Sequence, residues 1–250
     1  MTEQLDLFDS RWSRAPDRTE TPLSVRESIK ARRLTLRLLP PHTLELVVPR
    51  GTRPAKVQAF LAEHRRWIER ARQEIASRHR AGSERLPSSI ELAAVGQTWN
   101  VCYLHVRTTR PACRAIENAL EVRTPDREFN GARALLRAWL VGQAKACLSP
   151  WLIREAESIG RRPKSVQIRL QRTRWGSCSG TGNISLNASL LFVEPSLVRY
   201  LLIHELCHLF SLNHSRRFWS AVEQFEPDHR ALDRRLTEAW ALVPLWVHEP

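Results

Sequence analysis

The chain has 250 residues, 42% of them hydrophobic with nine Trp, and carries a net charge of +13 from 39 Lys and Arg against 26 Asp and Glu. That is enough apolar material for one large domain or two small ones, and the absence of any run of 18 apolar residues excludes a membrane span. There is no basic stretch followed by an apolar one at the N-terminus, and Cys102, Cys113, Cys147, Cys178 and Cys207 form no C-x-x-C pair. These features argue against a secretion signal, a disulfide framework or a zinc ribbon, and for the cytoplasm. The charge excess is mostly arginine and admits two readings: a soluble basic protein, or one that meets a polyanion such as nucleic acid or nucleotide.

Residues 1–24 are polar and aperiodic with two prolines, and read as a tethered tail. Residues 29–49 read as a hairpin. Leu34, Leu36 and Leu38 alternate with polar residues, Pro40-Pro41-His42 turns the chain, and Leu44, Leu46 and Val48 alternate back. A helix then opens with Thr52 as cap and Pro54 in its first turn. Val57, Phe60, Leu61, Ile68 and Ile75 form its apolar face, and Arg65, Arg66, Arg70, Arg72 and Arg78 read as a solvated surface opposite. Residues 80–88 look like a loop, and 89–124 hold two or three short strands. A long helix follows over about 131–159. Leu135, Leu136, Trp139, Leu140, Cys147, Leu148 and Leu152 mark its buried side, and Pro150 is expected to kink or split it. Residues 164–172 and 183–193 are the next strands, and Trp175, between them, reads as a core residue.

From Pro195, well placed for a first helical turn, the chain enters a segment in which Leu197, Tyr200, Leu201 and Leu212 fit a buried face. His204 and His208, four apart, project from one side of that helix, and Glu205 lies next to the first. This is H-E-x-x-H, in which two histidines hold zinc and the glutamate activates water. A catalytic zinc usually has three protein ligands, and His214, just past the helix, is the nearest candidate. Three neutral imidazoles leave the charge of Zn2+ intact, Glu205 would act as general base, and Tyr200, Arg174 and His229 are candidates for a second donor to the oxyanion. Cys207 points about 100° away from His208 and reads as core. His42, His64, His79, His105 and His248 lack any such context and read as ordinary surface residues. His208 and His214 have metzincin spacing, but Ser211 replaces the glycine and the only methionine is Met1, so no methionine turn can lie beneath the metal.

A second signature precedes the helix: Arg174-Trp175-Gly176-Ser177-Cys178, then Asn183-Ile184-Ser185-Leu186-Asn187. Together with the zinc helix and His214-Ser215-Arg216-Arg217-Phe218-Trp219, it closely resembles the YgjP-like metallopeptidase domain, related to the SprT-like and WLM zincins. The resemblance covers nearly all of residues 25–240, without the SprT-like C-terminal zinc ribbon. It implies an α+β fold, a zincin-like metallopeptidase domain with an N-terminal β-hairpin/helix subdomain, with His204, His208 and His214 as ligands and Glu205 as base. The expected organisation is a tail over 1–24, an N-terminal α+β subdomain over 25–130 and a catalytic domain over 131–242.

The alternation of Asn183, Ser185 and Asn187 with apolar residues fits a strand at a sheet edge, whose free backbone groups could bind a peptide substrate. The same pattern fits an ordinary half-buried strand. The leading expectation is therefore a zinc peptidase acting on protein or peptide. The rival is a metal-dependent nucleoside triphosphate pyrophosphohydrolase, an activity also attached to the resembled family, with the arginine surplus as its motive. A third reading is a DNA-associated metal-binding module, against which Glu205 argues. In the tail, Gln4-Leu5-Asp6-Leu7-Phe8 resembles the motif by which bacterial proteins dock on the replication sliding clamp. Leu5, Leu7 and Phe8 would fill apolar pockets and Gln4 would supply hydrogen bonds.

Overall fold

A computed structural model describes residues 23–29, 31–39, 43–66, 68–69, 86–107, 110–127 and 129–248. The tail motif Gln4–Phe8, His42, His79, Ile75 and Arg70, Arg72 and Arg78 lie outside those residues. The chain divides into two compact units, Met1–Glu84 and Arg85–Pro250.

In the first unit, β2 (Thr35–Leu39) pairs antiparallel with β3 (Thr43–Pro49), Leu36 opposite Leu46 and Leu38 opposite Leu44, as the alternation predicts. A further strand, β1 (Leu23–Ser28), runs parallel to β3 on its other side, so β3 is central and Leu44 and Leu46 are fully buried. With only Leu23 and Val25 as alternating apolar residues, β1 is too weakly patterned to stand out from the polar stretch before it. Helix α1 (Pro54–Glu63) has Pro54 in its first turn, but its N-cap is Arg53, without a side-chain cap. Thr52 instead donates from Oγ1 to the Pro49 carbonyl at 2.6 Å, closing the turn after β3.

In the second unit, four strands precede the long helix: β4 (Ser89–Leu92), β5 (Gln97–His105), β6 (Ala112–Ile116) and β7 (Ala119–Thr124), in sheet order β4-β5-β7-β6. The expected boundary between the subdomains lies at 130. In the structure Ile90, Leu92, Val101, Leu120 and Val122 share one apolar core with everything that follows. Helix α2 (Ala132–Ile159) is continuous through Pro150. Its fully or nearly buried residues, Ala132, Leu136, Leu140, Ala144, Leu148, Leu152 and Ala156, recur every fourth position. At 100° per residue such a stripe drifts by about 40° each step, so it winds round the helix. The helix can therefore meet β6 and β7 as well as elements that follow it in the chain. Leu135, Trp139 and Cys147 flank the stripe, half-buried.

The last sheet is β8 (Ser165–Arg169), β10 (Asn183–Asn187) and β9 (Gly176–Cys178), with β10 in the centre, parallel to β8 and antiparallel to β9. The expected edge role of Asn183, Ser185 and Asn187 is thus corrected: β10 is paired on both sides. The strand also ends at Asn187, and Ala188–Phe192 is a buried 3-10 turn rather than more strand. Three helices complete the unit: α3 (Pro195–Cys207), α4 (Arg216–Phe225) and α5 (His229–Glu238). No helix among the described residues is long and apolar enough to cross a membrane.

Candidate metal centre

Helix α3 starts with Pro195 in its first turn, and nine of its residues are buried, including Glu205 and Cys207. An almost wholly buried helix fixes side-chain direction through packing on all sides. His204 keeps a half-buried position on its one open side, and His208 caps the C-terminus. Beyond the helix, Cys207 and Leu206 carbonyls accept from the next residues in a tight turn. Ser211 then bonds from Oγ to the Asn213 carbonyl at 3.2 Å, and Ser215 caps α4 by accepting from the Phe218 amide. These bonds bring the chain back so that His214 faces α3. Leu212 lies at the bend, 61% exposed, because the helix that would have buried it has already ended.

One ring nitrogen from each of His204, His208 and His214 can be chosen so that all lie within 4.8 Å of one another. His204 Nε2 and His214 Nε2 are 3.1 Å apart. His208 Nδ1 donates to the Ser211 carbonyl at 3.1 Å, which leaves Nε2 as the free lone pair. Burial is the main cause that lowers His204 to about 3, with His208 and His214 adding to it, and burial also lowers His208. Burial thus favours the neutral form of His204 and His208, the form in which an imidazole can be a ligand. Two such nitrogens at 3.1 Å, plus a third, suit a small divalent cation that favours tetrahedral nitrogen donors, so the residues present fit zinc. Phe218, fully buried, forms the floor: its ring centroid is 5.0, 4.4 and 4.8 Å from those of His204, His208 and His214. Trp219 stacks on His214 at 5.6 Å.

Glu205 is 4% exposed, and its Oε2 has no hydrogen-bond partner among the described residues. Burial pushes its carboxyl up to about 8, opposed by the charge of Arg174. An unsatisfied buried carboxylate oxygen is costly, and such groups concentrate where chemistry uses them. The carboxylate lies against β9: a Cβ on Gly176 would stand 2.7 Å from Glu205 Oε1. The β9–β10 hairpin turns through Gly182, whose φ is +78°.

The other expected residues take structural places. Asn187, fully buried, donates from Nδ2 to the Gln171 and Arg174 carbonyls at 2.7 and 3.0 Å and accepts from the Ser189 amide. Asn183 accepts from Ser165 Oγ and donates to Thr181 Oγ1, and Ser185 Oγ is buried without a partner among the described residues. Trp175 is core, 7% exposed, and donates to the Leu236 carbonyl. Tyr200 OH donates to Asp233 at 2.9 Å, and His229, 5% exposed, stacks on the face of Trp219. His248, expected on the surface, is 5% exposed, its carbonyl held by Arg172. Phe218, Trp219 and Gly176 belong to the site although sequence reasoning gave them no role there. Their signal was position alone, in the turn after His214 and in the strand beside the helix.

The model of the YgjP-like, metallopeptidase domain matches residues 32–239. No curated protein matches significantly. Among solved structures, the metallopeptidase zymogen abylysin of Pyrococcus abyssi is 29% identical, with a TM-score of 0.34, covering 37% of this chain and 95% of its own. The metallopeptidase zymogen jannalysin of Methanocaldococcus jannaschii is 17% identical with the same TM-score, covering 37% of this chain and 96% of its own. A family match over residues 32–239 takes in the second signature, the α3 histidines and His214 together, and by it the chain belongs to the YgjP-like metallopeptidase family.

Proposed function

We propose that the protein is a zinc-dependent peptidase, with His204, His208 and His214 as metal ligands and Glu205 as general base. The observation that carries this reading is a buried carboxylate one residue from a cluster of three imidazoles whose nitrogens converge within 4.8 Å. Zinc held there would supply Lewis acidity to a carbonyl oxygen and lower the pKa of a water. Glu205 accepts the proton of the attacking water and returns it to the leaving amine. Gly176, by lacking a side chain, lets the carboxylate lie close to the strand while remaining beside His204.

Substrate orientation falls to β9. Its inner side pairs with β10, and among the described strands nothing pairs with its outer side. An extended peptide can add there by backbone hydrogen bonding, next to Glu205. This moves the proposed docking edge from β10 to its neighbour, the strand that touches the general base.

The test is Glu205→Gln, assayed for zinc content and for cleavage of an unfolded protein substrate in parallel with nucleoside triphosphates. The amide cannot accept a proton, so peptide cleavage is lost while one zinc per chain remains. Cleavage that persists in the zinc-loaded variant removes the base assignment. Nucleotide hydrolysis by the wild type, without peptide cleavage, replaces the peptidase reading by a phosphoanhydride hydrolase.

A further inference from the structure

Beside Glu205 the structure contains a cavity of ≈ 320 Å³ whose wall toward the metal is His204 and Glu205. Its other walls come from β9 and its approach (Thr173, Trp175, Gly176), from Tyr200 and Leu201 on α3, and from Asp233, Leu236, Thr237 and Trp240. Pockets that enclose whole small ligands run from roughly 300 to 1,000 Å³, so this one is at the lower limit and suits a single large side chain. It adjoins the reacting groups, which places that side chain on a residue flanking the scissile bond.

The chemistry of the walls is uneven. Trp175 and Trp240 stack at 3.9 Å and, with Leu201 and Leu236, give an apolar and aromatic lining. Besides the Glu205 and His204 already assigned, Asp233 is the one charged group in it. Tyr200, 1% exposed, donates its hydroxyl to Asp233 Oδ1 at 2.9 Å, which orients the carboxylate of this exposed residue at the mouth of the cavity. Among the described residues Asp233 makes no ion pair, although arginines are abundant nearby: Arg235 pairs with Glu194 and Arg199 with Glu226. An oriented carboxylate beside an aromatic wall is a combination that holds a long cationic side chain, through a charge-assisted hydrogen bond at its tip and apolar contact along its aliphatic stem.

We propose that Asp233 makes this cavity a subsite for a lysine or arginine side chain of the substrate, so that cleavage is directed to bonds flanked by a basic residue. The inference rests on the peptidase reading and deepens it. An acidic side chain would face Asp233 as a like charge and is rejected, whereas an uncharged one meets the apolar lining without using the carboxylate.

The test compares two peptides that differ only at one lysine, free or acetylated, placed in turn on either side of the cleaved bond. Acetylation keeps the four-carbon stem and removes the charge, while adding the bulk of an acetyl group. For the zinc-loaded wild type, kcat/KM is expected to favour free lysine by ~10–100-fold at one of the two positions. Asp233→Asn, which can still accept the Tyr200 hydrogen bond, should collapse that ratio to near one. Kd values for the same peptides are measured on zinc-loaded Glu205→Gln, so that recognition is read without turnover. Cleavage by the wild type with no preference for free lysine overturns the subsite and leaves the peptidase reading standing. Preferential binding without cleavage supports the subsite and removes the peptidase reading. Neither preference nor cleavage overturns both. A preference that survives Asp233→Asn overturns the assignment to Asp233.

Discussion

Replacing Gly176 by Ala separates catalytic geometry from metal binding. The new Cβ would stand 2.7 Å from Glu205 Oε1 and 2.9 Å from its Cδ and Cγ, where an ordinary contact begins at 3.4 Å. The carboxylate must therefore retreat by about 0.7 Å, and β9, held by β10 at Cys178, Ser177 and Gly176, is the less yielding of the two. The cavity of ≈ 320 Å³ on the open side of Glu205 gives the carboxylate somewhere to go, so the fold should survive. A displacement approaching 1 Å in a reacting group costs up to ~100-fold in rate. The expected result is a fall in kcat of ~10–100-fold on a peptide substrate, with one zinc per chain still bound, because the three atoms nearest the new Cβ all belong to Glu205 and none to a histidine. Steady-state kinetics and metal analysis on the same preparation measure both. A variant with wild-type kcat, or one that loses zinc together with activity, would refute the argument that Gly176 is there to seat Glu205.

His214→Ala removes one of three proposed ligands, and zinc affinity by competition with a chelator should fall by at least ~100-fold while the circular dichroism of the fold is retained. The pH dependence of the metal-free protein offers a separate check, because two buried groups oppose each other. His204, held near 3 by burial, weakens the folded state as pH falls below the ordinary 6.5, by about 2 kcal/mol at pH 5, whereas Glu205, raised to about 8, weakens it as pH rises above 4.5. Metal-free wild type should thus change little in stability between pH 7 and 5. Metal-free Glu205→Gln should lose about 2 kcal/mol over that range in urea denaturation, and a flat profile in the variant contradicts the burial argument for His204. For the N-terminal motif, Leu7→Ala/Phe8→Ala is expected to abolish recovery of the bacterial sliding clamp in a pull-down, and equal recovery by wild type and variant removes that partner.

Much of the site was legible because its chemistry is written in local spacing. His204, Glu205 and His208 lie within one helical turn, and His214 is the next histidine, so one helix and one turn gather them. The hairpin of β2 and β3 and the core position of Trp175 were legible for the same reason, since strict alternation and a large apolar ring each leave few options. What failed depended on partners far away in sequence. Whether β10 is an edge or a centre is decided by β8 and β9, and Asn-Ile-Ser-Leu-Asn alternates identically in either case. β1 is a strand only because β3 has an unpaired side to offer it. Leu212 fits the apolar period of α3, yet the helix stops at Cys207.

The correction at β10 also changes the meaning of the asparagine. At an exposed edge Asn187 would be a substrate contact; buried in the centre, it ties down the loop that leads into β9. Both N–H groups of its amide go to carbonyls of that loop, at Gln171 and Arg174, and its own backbone N–H goes to the Trp175 carbonyl at 2.8 Å. Gly176 is the next residue, and Gly176 is what Glu205 rests against. Glu205 is thus placed from two sides: by α3, whose burial fixes where the side chain starts, and by β9, whose position is fixed through Asn187. The signature preceding α3 and the helix itself are in this sense one device. The strand motif contributes no ligand, but it forms the wall that determines where the carboxylate can lie.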